Sequence, residues 1–159
     1  MVNAPPPFIP GAFVGAAHHY RARVYFEDTD LSGIVYHANY LRYMERARSD
    51  MLRIAGIDQR AAMEAGDGSW AVTDLAIQYR RPAKLDDDLL VVSTVEAVRG
   101  ASVIIAQRIL RGTDTLSGET LTDGQVTAAF LSPDGRPRRQ PAGWADRFTA
   151  IMNGEKIPC

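Results

Sequence analysis

Glu27, Asp28, Asp30 and His37 put three carboxylates and one imidazole within eleven consecutive positions. They fall where an alternating stretch gives way to helical spacing, so the cluster sits ahead of a helix N-terminus. Such a terminus offers unpaired backbone N–H groups and a partial positive charge. Those groups can polarise a carbonyl oxygen, and a nearby carboxylate can then attack the carbonyl carbon or deprotonate a water. The residue types suit acyl transfer. The competing reading is that an acidic turn before a helix simply complements its dipole, which is a common arrangement.

Other chemistries are poorly supplied. Asp28, Asp30 and His37 could in principle hold a divalent ion, but the sequence offers no obvious further ligand, and no metal is expected. Ser32 lacks the G-x-S-x-G frame of a serine hydrolase. Neither G-x-x-x-x-G-K nor G-x-G-x-x-G occurs, so no phosphate loop is present. Eighteen Lys plus Arg stand against 19 Asp plus Glu, for a formal net charge of -1. That balance argues against a nucleic-acid partner bound through a broad basic field. The one cysteine, Cys159, allows no internal disulfide and gives no sign of an oxidising compartment. No apolar run reaches the ~18–20 residues of a membrane span, and no Lys or Arg precedes Arg21 as a secretory leader would want. A cytoplasmic protein without stable membrane insertion is expected. With 159 residues, 46% of them apolar, the chain suits one domain with its own core.

The elements that must position the cluster follow from periodicity. Met1–Ala17, with Pro5, Pro6, Pro7 and Pro10, has no period and reads as a flexible proline-rich arm. Alternation over His18–Phe26 predicts a strand. From about His37 to Ile54 the spacing turns helical, with Tyr40, Met44, Ala47, Met51 and Ile54 on one stripe. Arg42, Glu45, Arg46, Ser49, Asp50 and Arg53 form its polar flanks, and Gly56 stands where the helix should end. A shorter helix is expected over Asp58–Ala65. Strands follow from Ala71 to Tyr79, Leu89–Val98, Ala101–Leu110 and Glu119–Leu131, with a tight hairpin at Arg99-Gly100 and a bend at Gly124. Trp144–Met152 suits a short terminal helix, and Trp70 and Trp144 read as core or interface residues. The order gives an α+β protein, one antiparallel sheet wrapped on one long helix.

Val24-Tyr25-Phe26-Glu27-Asp28-Thr29-Asp30-Leu31-Ser32-Gly33-Ile34-Val35-Tyr36-His37-Ala38-Asn39-Tyr40, continued by Tyr43-Met44-Glu45-Arg46-Ala47-Arg48, resembles the hotdog-fold thioesterases. The closer likeness is to the Tol-Pal-associated branch, related to 4-hydroxybenzoyl-CoA thioesterase. Tyr79-Arg80-Arg81-Pro82-Ala83-Lys84-Leu85-Asp86-Asp87 and Arg99-Gly100-Ala101-Ser102 extend the resemblance over roughly Tyr20 to Leu131.

The resemblance implies a hotdog fold, a curved antiparallel sheet around one long α-helix, and hydrolysis of acyl-CoA to a carboxylate and free CoA with no cofactor. It puts the essential carboxylate on Asp30 and the polarising N–H at the helix start on His37, whose imidazole is a second candidate. Tyr40, Arg99 and Ser102 become substrate-binding candidates, with Arg99 at the turn where relatives hold CoA phosphates. Arg80, Arg81 and Lys84 are weaker candidates for the same task. Another hotdog branch uses a helix glutamate, so Glu45 is the rival carboxylate; its alternative is an i,i+3 partner of Arg48. A homodimer or homotetramer is implied, as is a domain spanning 18–133 between the arm at 1–17 and a C-terminal loop, short helix and tail at 134–159. The runner-up function is a non-hydrolytic acyl-group binder or acyl-carrier-protein partner in envelope lipid metabolism.

Overall fold

A computed structural model describes residues 11–115 and 118–158. The expectations for 1–10 and for Cys159 lie outside those residues. Six strands form one antiparallel sheet in the order β1-β2-β4-β5-β6-β3. They are β1 (Gly11–Val14), β2 (Ala17–Arg23), β3 (Ser69–Tyr79), β4 (Asp88–Val98), β5 (Ser102–Arg111) and β6 (Glu119–Leu131). A 3-10 turn spans Phe26–Asp28, and the helices are α1 (Asn39–Ile54), α2 (Gln59–Glu64) and α3 (Trp144–Asn153). The α+β order is as the sequence predicts, with one face of the sheet closed over α1. No helix among the described residues is long and apolar enough to cross a membrane.

The N-terminal arm ends earlier than position 17, because Gly11–Val14 pairs antiparallel with Ala17–Tyr20. The strand expected over His18–Phe26 stops at Arg23, and Phe26 enters the 3-10 turn, 82% exposed. His37 lies just outside α1, whose first helical residue is Asn39. At the other end of α1 the chain closes as foreseen: Gly56 has φ 76°, its N–H donates to Arg53 O, and Ile57 N–H donates to Leu52 O. These two bonds satisfy carbonyls the helix leaves open, and only glycine takes that backbone angle without strain.

Two side chains of α1 depart from the predicted stripe. Ile54 is exposed, whereas Asp50, expected on the polar flank, is buried against β2. Tyr40, Tyr43, Met44, Ala47 and Met51 face the sheet, each at most 3% exposed. Every such fully buried large side chain is worth ~1.5–3 kcal/mol of apolar transfer. Gly124 does not mark an interruption: its register runs unbroken against Ile77 and Gln107. A Cβ there would lie 3.1 Å from Met44 Cε and 3.1 Å from Ala76 O, so the glycine lets α1 approach the sheet. The register shifts fall instead at Val72/Asp74, Val95/Ala97 and Ile109/Leu110. Such shifts increase local twist and bend a strand.

α3 is part of the core and not an appended tail. Trp144, Phe148 and Ile151 join Met51 and Phe130 in one cluster. Trp70, Phe130, Trp144 and Phe148 pack ring to ring at centroid separations of 5.4 to 6.1 Å.

Candidate active site

Asp30 opens a tight turn. Its backbone N–H donates to Ile34 O, and Gly33 N–H donates back to Asp30 O. Gly33, at φ 80°, supplies the left-handed residue that returns the chain. Ser32 donates both its N–H (2.8 Å) and its hydroxyl to Asp30 Oδ1. The Ser32 hydroxyl first, then its N–H and the nearby His37, hold the Asp30 carboxyl below the usual carboxylate range. Both bonds fall on Oδ1, leaving Oδ2 available on an exposed, ionised group. Asp28 is turned elsewhere, accepting the Tyr25 N–H at 2.9 Å.

The segment between Asp30 and α1 is fixed from several sides. Val35 N–H donates to Ala83 O, Tyr36 N–H to Asp28 O and Asn39 N–H to Tyr36 O. Asn39 Nδ2 also donates to Asp28 O at 2.8 Å. Among the described residues no backbone carbonyl accepts the N–H of His37 or Ala38, as the first turn of a helix leaves donors open. The His37 ring is exposed, 4.5 Å from the Tyr36 ring and 6.3 Å from the Tyr79 ring, centroid to centroid.

Tyr79 at the end of β3 donates its hydroxyl to His37 O at 2.9 Å. Tyr40 is buried at 3% exposure, and its hydroxyl accepts the Ala83 N–H at 3.0 Å. Burial pushes both phenols above their ordinary pKa, so both stay protonated at neutral pH. His37, Tyr40 and Tyr79 line an open cleft of about 300 Å³ with Ile34, Val35 and Pro82, and Arg80 and Arg81 at its edge. Asp30 is not among the residues of that wall. Arg80 and Arg81 pair with Asp123 (3.6 Å) and Glu119 (2.8 Å). Among the described residues no three or more His, Cys, Asp or Glu gather as a metal site would require.

A sequence profile of the thioesterase superfamily matches residues 32–117, more than half of the chain. The chain belongs to the thioesterase superfamily. Acyl-CoA thioesterase YbgC of Haemophilus influenzae is 40% identical over 122 residues, covering 77% of this chain and 90% of that protein. Acyl-CoA thioester hydrolase YbgC of Escherichia coli is 38% identical over 127 residues, 79% of this chain and 91% of the relative. Among solved structures, a probable thioesterase from Bartonella henselae superposes with a TM-score of 0.71 at 35% identity, over 79% of this chain and 99% of that one.

The thioesterase separates the remaining candidates. Glu45 lies on α1, exposed, and accepts the Ser49 hydroxyl at 3.0 Å; among the described residues it forms no ion pair with Arg48. Arg99 and Ser102 stand at the β4–β5 turn, where Arg99 N–H donates to Ser102 O. Strand register puts that turn at the far end of the sheet: Ser102 pairs with Ala129, while Tyr79 pairs with Thr122. Within one chain they are therefore not brought beside Asp30 and His37.

The sequence reading missed what surrounds that turn. The loop after β6 folds back on it: Gln140 N–H donates to Gly100 O, and Gln140 Nε2 donates to Arg99 O at 2.8 Å. Arg139 is carried along, its Nε 3.9 Å from where a Gly100 Cβ would stand. Arg138 holds Asp67 O at 2.7 Å beside it. The run Arg136-Pro137-Arg138-Arg139 was the available signal, but only the fold joins it to Arg99. Tyr79 was likewise passed over as a strand residue.

Proposed function

We propose that this thioesterase hydrolyses acyl-CoA, with Asp30 as its carboxylate and the His37 backbone N–H polarising the thioester carbonyl. The observation that carries the reading is an ionised carboxylate with a free oxygen, one turn of chain before unaccepted N–H groups that border an apolar cleft. Asp30 Oδ2 takes a proton from water as water attacks the carbonyl carbon, or attacks that carbon itself to give a mixed anhydride that water then hydrolyses, releasing the acid and restoring Asp30. The carbonyl oxygen gathers charge against the His37 N–H. The C–S bond then breaks, and the thiolate leaves readily because a thiol pKa near ~8.5 needs no strong acid. The His37 imidazole, packed on Tyr36 and Tyr79, orients the water or the carbonyl. Tyr40 then acts through Ala83, bracing the cleft floor.

Arg99, Arg138 and Arg139 together make the basic site for CoA phosphates, with Ser102 beside them; acyl-carrier protein, which presents a single phosphodiester, would use them less. Because that site and Asp30 lie at opposite ends of one subunit, a second copy is needed to unite them. The outer edge of β3 is unpaired among the described residues and shows Val72, Leu75 and Tyr79 at 38 to 51% exposure, a surface for homodimerisation. The protein is assigned to the cytoplasm, with the Tol-Pal-associated branch as its setting.

Thiol release from a panel of acyl-CoAs tests the assignment. Asp30→Asn keeps Oδ1 for Ser32 and should lower kcat by about 100-fold or more with unchanged folding. Activity within twofold of wild type, or loss on Glu45→Gln instead, would move the carboxylate to Glu45. His37→Ala removes only the imidazole, since the backbone N–H survives.

A further inference from the structure

Tyr79 is the last residue of β3, and its side chain reaches from the sheet to the start of α1. The ring is set by its neighbours, T-shaped against Tyr40 at 5.5 Å and against His37 at 6.3 Å. Its backbone is held too, paired with Thr122 of β6. The hydroxyl donates to His37 O at 2.9 Å, across 42 positions of chain. Tyr79 is 47% exposed, so water is within reach and this bond is not needed to satisfy the phenol. A hydroxyl that has solvent available and still seats itself on one main-chain oxygen beside the site calls for a reason.

That oxygen belongs to a particular peptide unit. His37 O and the Ala38 N–H are its two ends, and no peptide bond among the described residues is cis, so they point in opposite directions. The hydroxyl holds the oxygen, while no backbone carbonyl among the described residues accepts the N–H. The preceding unit is arranged in the same manner. Tyr36 O accepts the Asn39 N–H at 2.8 Å, and that unit carries the open His37 N–H. Two successive units are thus pinned by their oxygens and offer their hydrogens. A bond donated to a carbonyl oxygen draws charge along the peptide and strengthens its N–H as a donor, by about 10–30% per bond. It also stops the unit from tilting, and a donor already aligned costs no reorganisation when charge develops before it. The chain's own turn pins the first unit; a side chain from the sheet pins the second.

We propose that Tyr79 is a positioning residue for thioester hydrolysis: by holding His37 O, its hydroxyl aligns the peptide unit whose Ala38 N–H joins that of His37 in polarising the substrate carbonyl. This role rests on the hydrolysis proposed above and adds a side chain that does not touch the reacting atoms. Tyr79 stands on the cleft wall with His37 and Tyr40, so the bond it makes borders the place where the acyl group would lie. Burial raises its pKa above the ordinary phenol value, so the hydroxyl keeps the proton it donates at neutral pH. The ring also lies on the β3 edge assigned to the second copy. Phenylalanine keeps that ring, so Tyr79→Phe removes one hydroxyl and leaves the edge its shape.

Three measurements on the full-length protein test the role. With the acyl-CoA that wild type cleaves fastest, Tyr79→Phe should lower kcat by about tenfold and leave KM within twofold. Particle mass should be unchanged, and Tm should stay within about 2 °C. The second measurement needs no turnover. The Ala38 amide nitrogen resonance, which responds to the bond made by the oxygen of its own peptide unit, should move in Tyr79→Phe while those of β5 stay. The third repeats Tyr79→Phe on a His37→Ala background, which keeps the His37 carbonyl. The tenfold loss should recur there in full; a residue acting through the imidazole would show no further loss. A kcat within twofold of wild type, an unmoved Ala38 resonance, or no further loss on the His37→Ala background overturns the proposal. So does a fall in kcat accompanied by a changed particle mass or a Tm lower by more than about 5 °C, because Tyr79 would then be holding the dimer or the fold. A wild type that releases no thiol from any acyl-CoA refutes the hydrolysis, and this role falls with it. Full wild-type turnover beside an indifferent Tyr79→Phe refutes the role alone.

Discussion

Lowering the pH below about 6.5 should destabilise this protein through one buried side chain, His18. The residue is fully buried, and its Nε2 lies 2.7 Å from Asp50 Oδ2. Among the described residues its Nδ1 has no partner. Nε2–H therefore donates to the carboxylate, and Nδ1 carries a bare lone pair. Protonation would bury a second N–H with nothing to accept it. Burial is the leading cause that holds the His18 pKa below its ordinary value, against the raising influence of Asp50. The unfolded chain then binds a proton that the native state refuses, so stability is full above the unfolded pKa of about 6.5 and falls as pH drops below it. With His18 still neutral, the loss at pH 5.5 is RT ln 11, at most ~1.4 kcal/mol. Urea unfolding followed by tryptophan fluorescence at pH 7.5, 6.5 and 5.5 reads this as a falling midpoint at constant m. His18→Gln keeps a donor for Asp50 and cannot titrate, so its stability should change less over the same range. His19, whose pKa is also lowered by burial and by Arg108 and Arg21, is replaced by Gln in both proteins. Parallel loss of stability in the two would refute the reasoning.

Tyr40→Phe removes the acceptor for the fully buried Ala83 N–H. An unsatisfied buried donor costs ~1–3 kcal/mol, and calorimetry should show a Tm lower by roughly 4–8 °C at ~2 kcal/mol; a change under about 1 °C would mean that Ala83 finds another acceptor. Arg139→Ala should raise KM for acyl-CoA by about tenfold at low salt, an effect shrinking as salt screens it, with kcat and Tm unchanged. Equal KM in the two proteins at low ionic strength would remove Arg139 from the phosphate site.

Periodicity placed the long helix, its glycine stop and five of the six strands, all but β1, because a two- or 3.6-residue repeat is written in the order of the side chains. The pairing β6-β3 was not written there, nor was the loop that carries Arg139 to Arg99 across forty positions of chain. Asp50 looked like a polar flank because sequence registers its neighbours on α1 and not His18 on β2. The turn at Asp30 was legible as an acidic turn ahead of the helix, whereas the Ser32 donors that bond its carboxylate appear only in the fold. Glu45 illustrates the opposite limit: spacing offered Arg48 as partner, and rotamers chose Ser49.

The aromatic packing of α3 bears on what counts as a self-sufficient unit. The superfamily profile ends at residue 117, and the family resemblance legible in the sequence ends near Leu131, at the close of β6. A chain cut at residue 133 would contain every strand and the long helix. It would also uncover Phe130 and Trp70 on one side and Met51 on the other, which Trp144, Phe148 and Ile151 now cover. Such a truncation would carry a sticky end, prone to self-association. Minimal versions of this protein, and fusions that burden its last helix, must respect a boundary near residue 153.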